Sequence, residues 1–221
     1  MSALQKLLAA SLTVTTISAA CAQDVTVAAG AVINGVTIVN TRDGSLTPGM
    51  GVVIDNGRIV KIASAASVHV SGRAQVIDAA GKYIVPGYLD MHAHVVDGAD
   101  AKVPPWALLI ANGITGFRQM SGSPDLLARG QRLRQDVAAE IVVAPEPLVL
   151  VGRLFNTLGE GGRPGITMPT QAVAEVKAQK AAGTDFIKVI NVSRDVFYAV
   201  MSESKNQGLA GRTSVPLCQR Y

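Results

Sequence analysis

Histidine is scarce in this chain: the 221 residues hold three, His69, His92 and His94. A site built on several imidazoles would have to use the pair in "MHAH", because no histidine follows it. Cysteine is scarcer still, with only Cys21 and Cys218. If a leader carrying Cys21 is removed, no internal disulfide can form, and the fold must be held by its core. Basic residues form no block interleaved with aromatics, although Lys and Arg number 20 against 16 Asp and Glu. That scatter argues against a nucleic-acid partner. "GEGGRP" (159–164) lacks the Gly-Lys-Ser/Thr that a Walker-type phosphate loop requires, leaving a flexible loop near a substrate or a plain linker.

The chain is instead rich in glycine (22), proline (10) and apolar residues (48%), the composition of an ordered core with tight turns. Its length gives room for one large or two small domains. Lys6 precedes "LLAASLTVTTISAACA", whose Ala20-Cys21-Ala22 fits a small-residue cleavage site. Residues 1–22 are therefore expected to be a signal peptide, with a mature start at Gln23 and a periplasmic or secreted location. The alternative is a buried N-terminal helix. The stretch is short and rich in Ser and Thr, which speaks against a stable membrane span.

From Val32 to Val85 the pattern is short and two-residue periodic: "VTIVN", "GVVIDNGRIVKIA" and "AQVIDAAGKYIVPG", each bounded by Gly, Pro or Asn. Asn56-Gly57 between two β-rich runs predicts a tight hairpin, and "DAAGK" (78–82) a second turn. This reads as an N-terminal β-domain over 23–86. After Pro86, strand-like runs alternate with helical ones. Strands are expected at "YLDMHAH", "ITGFRQM", "EIVVAPEPLVLVG" and "DFIKVI". Helices are expected at "PPWALLIANG", "SPDLLARGQRLRQDVAA", "TQAVAEVKAQKAAG" (with Thr170 as N-cap) and "VFYAVMSESKNQG". Such alternation predicts βα units on a parallel sheet. A complete eight-fold barrel typically needs about 250 residues, so 87–221 would be an open small sheet or the first half of a barrel.

A strand places alternate side chains on one face, so His92 and His94 can point the same way at a strand end. That is where parallel α/β folds put their sites. Neutral imidazoles suit zinc and similar divalent ions, and Asp90 shares their parity and could orient a ligand. The alternative is a pair of polar residues in a surface turn. Lys188, on the strand "DFIKVI", reads from its own surroundings as a partly buried lysine snorkelling to the strand end. His69 reads as a surface residue.

"GKYIVPGYLDMHAH" resembles the first barrel strand and preceding segment of the metal-dependent amidohydrolase superfamily. "LLIANGITGFRQM" resembles its next helix–strand unit, and the β-layer resembles the N-terminal part of its composite β-sandwich. "AAGTDFIKVI" is similar to the lysine-bearing strand of the imidazolonepropionase/prolidase-like branch. The likeness spans about Ala31 to Gly208. It implies an α/β fold: the first half of a TIM-type (β/α)8 hydrolase barrel with an N-terminal small β-domain. It also implies a metal site of His92, His94 and Lys188 holding one or two divalent ions, most often zinc. In many members that lysine is carboxylated and bridges two metals. The implied activity is metal-dependent hydrolysis of carbon–nitrogen bonds in a non-peptide amide, cyclic amide or dipeptide-like small molecule. A homo-oligomer is compatible with this.

The chain departs from the family in two ways. "RQM" replaces the usual "RDM", so Gln119 stands where an acidic residue is expected. The family's later strand-end histidines and its eighth-strand aspartate, the general base, have no counterpart, and no catalytic residue is assigned. These gaps predict a truncated or frame-altered product. They also leave open a different class: a catalytically inactive exported metal- or small-molecule-binding remnant, or a partner-dependent subunit.

Overall fold

The structure is a computed structural model that describes residues 24–98, 104–159 and 163–213. The expected leader, both cysteines, the centre of "GEGGRP" and the final "SVPLCQRY" lie outside the described residues. The chain divides into two compact units, Met1–Pro86 and Gly87–Tyr221.

The first unit is built of short strands: β1 (Val25–Val27), β2 (Ala31–Val39), β3 (Leu46–Asp55), β4 (Arg58–Ser64), β5 (Val68–Val70), β6 (Gln75–Asp78) and β7 (Tyr83–Ile84). One sheet has the order β4-β3-β2-β6, with β7 also beside β2, and β1 pairs separately with β5. The β3–β4 hairpin turns on Asn56 (φ 48°) and Gly57 (φ 71°). Two consecutive positive φ values suit the right-handed twist of the flanking strands, and an Asn-Gly pair adopts them at little cost. In the second turn, Asp78 Oδ1 accepts from Ala80 N at 3.0 Å and Ala79 O accepts from Lys82 N at 3.0 Å. β6 and β7 run parallel to β2, a pairing that no local pattern reveals. Val32, Val36, Val52 and Val53 are buried, while Ile59, Val60 and Ile62 on β4 stay exposed.

The second unit alternates strands and helices: β8 (Tyr88–Ala93), α1 (Trp106–Ala111), β9 (Ile114–Gln119), α2 (Pro124–Ala138), β10 (Glu146–Val149), β11 (Phe155–Asn156), α3 (Pro169–Ala181), β12 (Phe186–Asn191), α4 (Arg194–Asn206) and β13 (Ala210–Thr213). All its strand pairings are parallel, in the orders β10-β9-β8 and β11-β12-β13. A parallel bridge from Val151 to Phe186 joins the two groups. Asp185 fastens that junction: its Oδ2 accepts from Leu150 N at 2.8 Å and from Arg134 at 2.6 Å.

Helix starts follow local chemistry. Ser123 caps α2 by accepting from Leu126 N at 3.1 Å, followed by Pro124 at the first helical position. α3 corrects the expected Thr170 cap: it begins at Pro169 with Met168 as N-cap, and Gln171 Oε1 accepts from Met168 N at 3.1 Å. The proline sets the start two residues earlier because its fixed φ favours the first turn. "EIVVA" is also not strand: within that expected run Glu146–Val149 pairs with β9, and Val151 adds a single bridge to Phe186.

The core of this unit gathers Phe155, Val176, Ile187, Val196 and Val200 in one cluster and Val96, Phe117 and Leu133 in another. Burying side chains of this size contributes about 1.5–3 kcal/mol each. Gly122 is needed for close approach, since a Cβ there would lie 2.0 Å from Gly152 O. The fold is thus α/β with consecutive parallel strands, and the described strands form an open run with β8 and β13 at its ends, not a closed barrel. Among the described residues no helix is long and apolar enough to cross a membrane.

Candidate functional site

β8 pairs with β9 in an irregular register between Asp90 and Ala93. A bulge leaves backbone groups without ladder partners, and side chains replace them. Asp90 Oδ1 accepts from His92 N at 2.9 Å. Arg118 Nε donates to Met91 O at 2.7 Å, and its guanidinium lies 5.7 Å from the centre of the Phe186 ring. Asp90 therefore shapes its own strand. The result is a pair of imidazoles on one side of the strand end, with centroids 6.0 Å apart and planes 6° from parallel. Ala93 between them is buried.

Lys188 lies in the middle of β12 and is buried. Its Nζ donates to Met120 O at 2.6 Å, and Met120 N donates to Ala93 O at 2.9 Å. Met120 thus ties Lys188 to the histidine-bearing strand end through two hydrogen bonds. The structure brings the three sequence-selected residues to one region.

It does not bring them together as a metal centre. Among the described residues there is no group of three or more His, Cys, Asp or Glu side chains that could hold a metal ion. This corrects the expectation of one or two divalent ions, zinc foremost, with a carboxylated Lys188. The physical reason lies in where the donors go. The imidazoles stack rather than converge, Asp90 serves a backbone amide, and the Lys188 amine acts as a donor to a carbonyl. An ammonium beside a cation would add repulsion.

Asp97 and Ser121, which the sequence did not single out, and Gln119, which it marked only as a departure, complete the strand end. His94 Nδ1 lies 3.5 Å from Asp97 Oδ2, with the two side chains 54% and 40% exposed. Gln119, fully buried at the end of β9, donates from Nε2 to Asp97 Oδ1 at 2.7 Å and to Ser121 Oγ at 2.5 Å. Its Oε1 accepts from Val96 N at 3.1 Å. Ser121 Oγ also donates to Asp97 Oδ1. The available signal was the departure of "RQM" from "RDM", a long amide at a position the strand alternation buries. His69, in β5, faces Asp24 at 3.6 Å on the surface of the first unit.

Comparison with known proteins adds the following. No family model matches the chain. It is 33% identical over 147 residues to an adenine deaminase of Rubrobacter xylanophilus, covering 65% of this chain and 24% of that protein. Its fold matches a solved structure of an amidohydrolase with a TM-score of 0.64 at 20% identity, over 83% of this chain and 55% of the other. It also matches a Xaa-Pro dipeptidase with bound methionine in the active site, with a TM-score of 0.59 at 19% identity, over 83% and 56%. The chain spans about a quarter of the length of the curated relatives it matches over most of its own length.

Proposed function

We propose that this chain is a member of the amidohydrolase superfamily and serves the hydrolysis of carbon–nitrogen bonds in small molecules, a reading supported by its likeness to an adenine deaminase and to the fold of an amidohydrolase. The substrate would be a non-peptide amide, a cyclic amide or a dipeptide-like compound. The observation that carries the reading is the 33% identity to an adenine deaminase over 147 residues. The strand-end geometry supports it. His92 and His94 stand at the C-terminal end of a parallel strand, the end where such folds present reactive groups to substrate, and Lys188 is tied to that end through Met120. We assign these three residues to the substrate-facing edge. Export, resting on residues 1–22, belongs to the same proposal, and N-terminal sequencing of secreted protein should begin at Gln23.

A second reading is a catalytically inactive small-molecule-binding remnant or a partner-dependent subunit. The openness of the edge favours it: the His94 side chain is 54% exposed, whereas reacting groups generally sit in enclosed pockets. One experiment separates the two. Protein starting at Gln23 is incubated with adenine, a Xaa-Pro dipeptide and a cyclic amide, and release of ammonia, proline or ring-opened acid is followed. Turnover of one class, lowered at least about tenfold in His92→Ala and His94→Ala, supports the hydrolase. No turnover of any, with shifts of the His92 and His94 ring resonances on ligand addition, replaces it with the binding protein.

A further inference from the structure

We infer that Asn56 is a self-modification site: in water the chain closes a succinimide ring between Asn56 and Gly57, which opens to aspartate or isoaspartate and releases β4. The other two Asn-Gly pairs, Asn34-Gly35 and Asn112-Gly113, stay intact. The sequence does not separate the three, because each sets an amide side chain beside a residue with no Cβ to hinder approach. Their surroundings do.

The step needs no partner but water. The main-chain nitrogen of the glycine loses its hydrogen to hydroxide and attacks Cγ of the asparagine. The Cγ–Nδ2 bond breaks, and Nδ2 takes a proton from water and leaves as ammonia. One water then adds at either ring carbonyl. It gives an aspartate, or an isoaspartate whose main chain runs through the side-chain carbon. Three local conditions govern the rate: a glycine N–H that is not engaged, an Nδ2 free to leave, and donors for the negative charge that gathers on Oδ1.

Asn56 meets all three. It and Gly57 are exposed at the tip of the β3–β4 hairpin, so water solvates Oδ1. Gly57 N donates to no acceptor among the described residues. Asn56 Nδ2 reaches the exposed Asp55 Oδ2 at 3.3 Å, a bond that water replaces readily. At Asn112 both reacting groups are held: Gly113 N donates to Ile110 O at 2.9 Å, and Asn112 Nδ2 donates to Leu108 O at 2.8 Å. Asn34 fails on the third condition. It lies within β2, between β3 and β6, and its Oδ1 is buried without a hydrogen-bond partner. Charge gathering there would meet no donor. Isoaspartate at 56 lengthens the main chain by a carbon inside a two-residue turn fixed by φ values of 48° and 71°. Such a turn no longer matches the strands it joins. β4 stands at the end of the sheet order, so it is the strand set free.

The full chain tests this without a variant. It is held in mildly alkaline buffer, folded in one arm and in urea in the other, and then cut with trypsin. The three pairs fall in separate peptides ending at Arg42, Arg58 and Arg118. Mass spectrometry follows the amide-to-acid conversion in each, with fragmentation to place it. In the folded arm the peptide ending at Arg58 should convert at least about tenfold faster than the other two, whose reacting groups must first leave their hydrogen bonds or their burial. In urea the three rates should converge. Conversion of Asn34 or Asn112 as fast as Asn56 in the folded chain overturns the inference. So does a gap that persists unchanged in urea, since the neighbouring residues rather than the fold would then set it. The converted protein, separated by its added negative charge, should exchange the amide hydrogens of β4 faster than the unconverted protein does. Equal exchange in the two forms overturns the release of β4.

Discussion

The β-layer and the βα unit bury polar groups on different terms. Among the described residues, Ser67 is the buried polar side chain of the first, whereas Gln119, Gln179, Thr184, Lys188, Glu203 and Ser204 are buried in the second. An unsatisfied buried polar group costs about 1–3 kcal/mol, so a unit that buries several must hold most of them in fixed hydrogen bonds. Those bonds are also what can aim a side chain. The β-layer shows the reverse economy. Its core is mostly valine, Ile59, Val60 and Ile62 stay in solvent, and its register comes from turns. Fixed polar groups and strand-end histidines therefore fall in the same unit.

The comparison breaks first at the largest side chains. Phe117→Ala empties a fully buried position of the βα unit and should cost about 3–5 kcal/mol in urea unfolding. A loss under about 1 kcal/mol would mean that this core is not what orders the unit. Next comes the polar interior. Lys188→Met removes the donor to Met120 O and should cost about 1.5–3 kcal/mol. An unchanged unfolding midpoint would show that the bond is not used.

The β-layer should answer to backbone instead. Gly57→Ala meets no atom within 4 Å but keeps a φ of 71°, so its cost of about 1 kcal/mol is conformational. A neutral result would remove the turn from the account of register.

The smallest effect is electrostatic. Side-chain amides of Gln207 and Asn206 hold the Glu203 carboxyl below its ordinary value of 4.5, with Lys177 adding attraction and burial opposing. A lowered folded value means stability present above the unfolded value and lost as pH falls through the folded one. Glu203→Gln should flatten the acid limb of the stability curve, and an unchanged limb would exclude Glu203 as its source.

Much of this was legible in the sequence. Asn56-Gly57 named its hairpin, the helix order followed from caps and periodicity, and "MHAH" was placed at a strand end. Other features lay beyond it for physical reasons. The pairing of β6 and β7 with β2 is non-local, and the bulge at Asp90–Ala93 depends on β9. The expected metal site rested on resemblance, and spacing could not reveal that the imidazoles stack while the Lys188 amine meets a carbonyl. Gln119 was noticed only as a missing acid, because its role depends on Asp97 and Ser121, which the fold brings beside it.

The two kinds of pairing also set different clocks for assembly. Asp55 and Arg58 are cross-strand partners on either side of a two-residue turn, a closure that takes microseconds in isolated hairpins. Phe186 pairs with Ala210, and Tyr88 with Ile114, only after the intervening chain has coiled into a helix and folded back. Each such step meets its loop-closure entropy before any ladder bond forms. During refolding the βα unit therefore stands longer with unpaired strand edges, and the hydrogen bonds from Gln119 to Asp97 and from Lys188 to Met120 are among those that must wait for it.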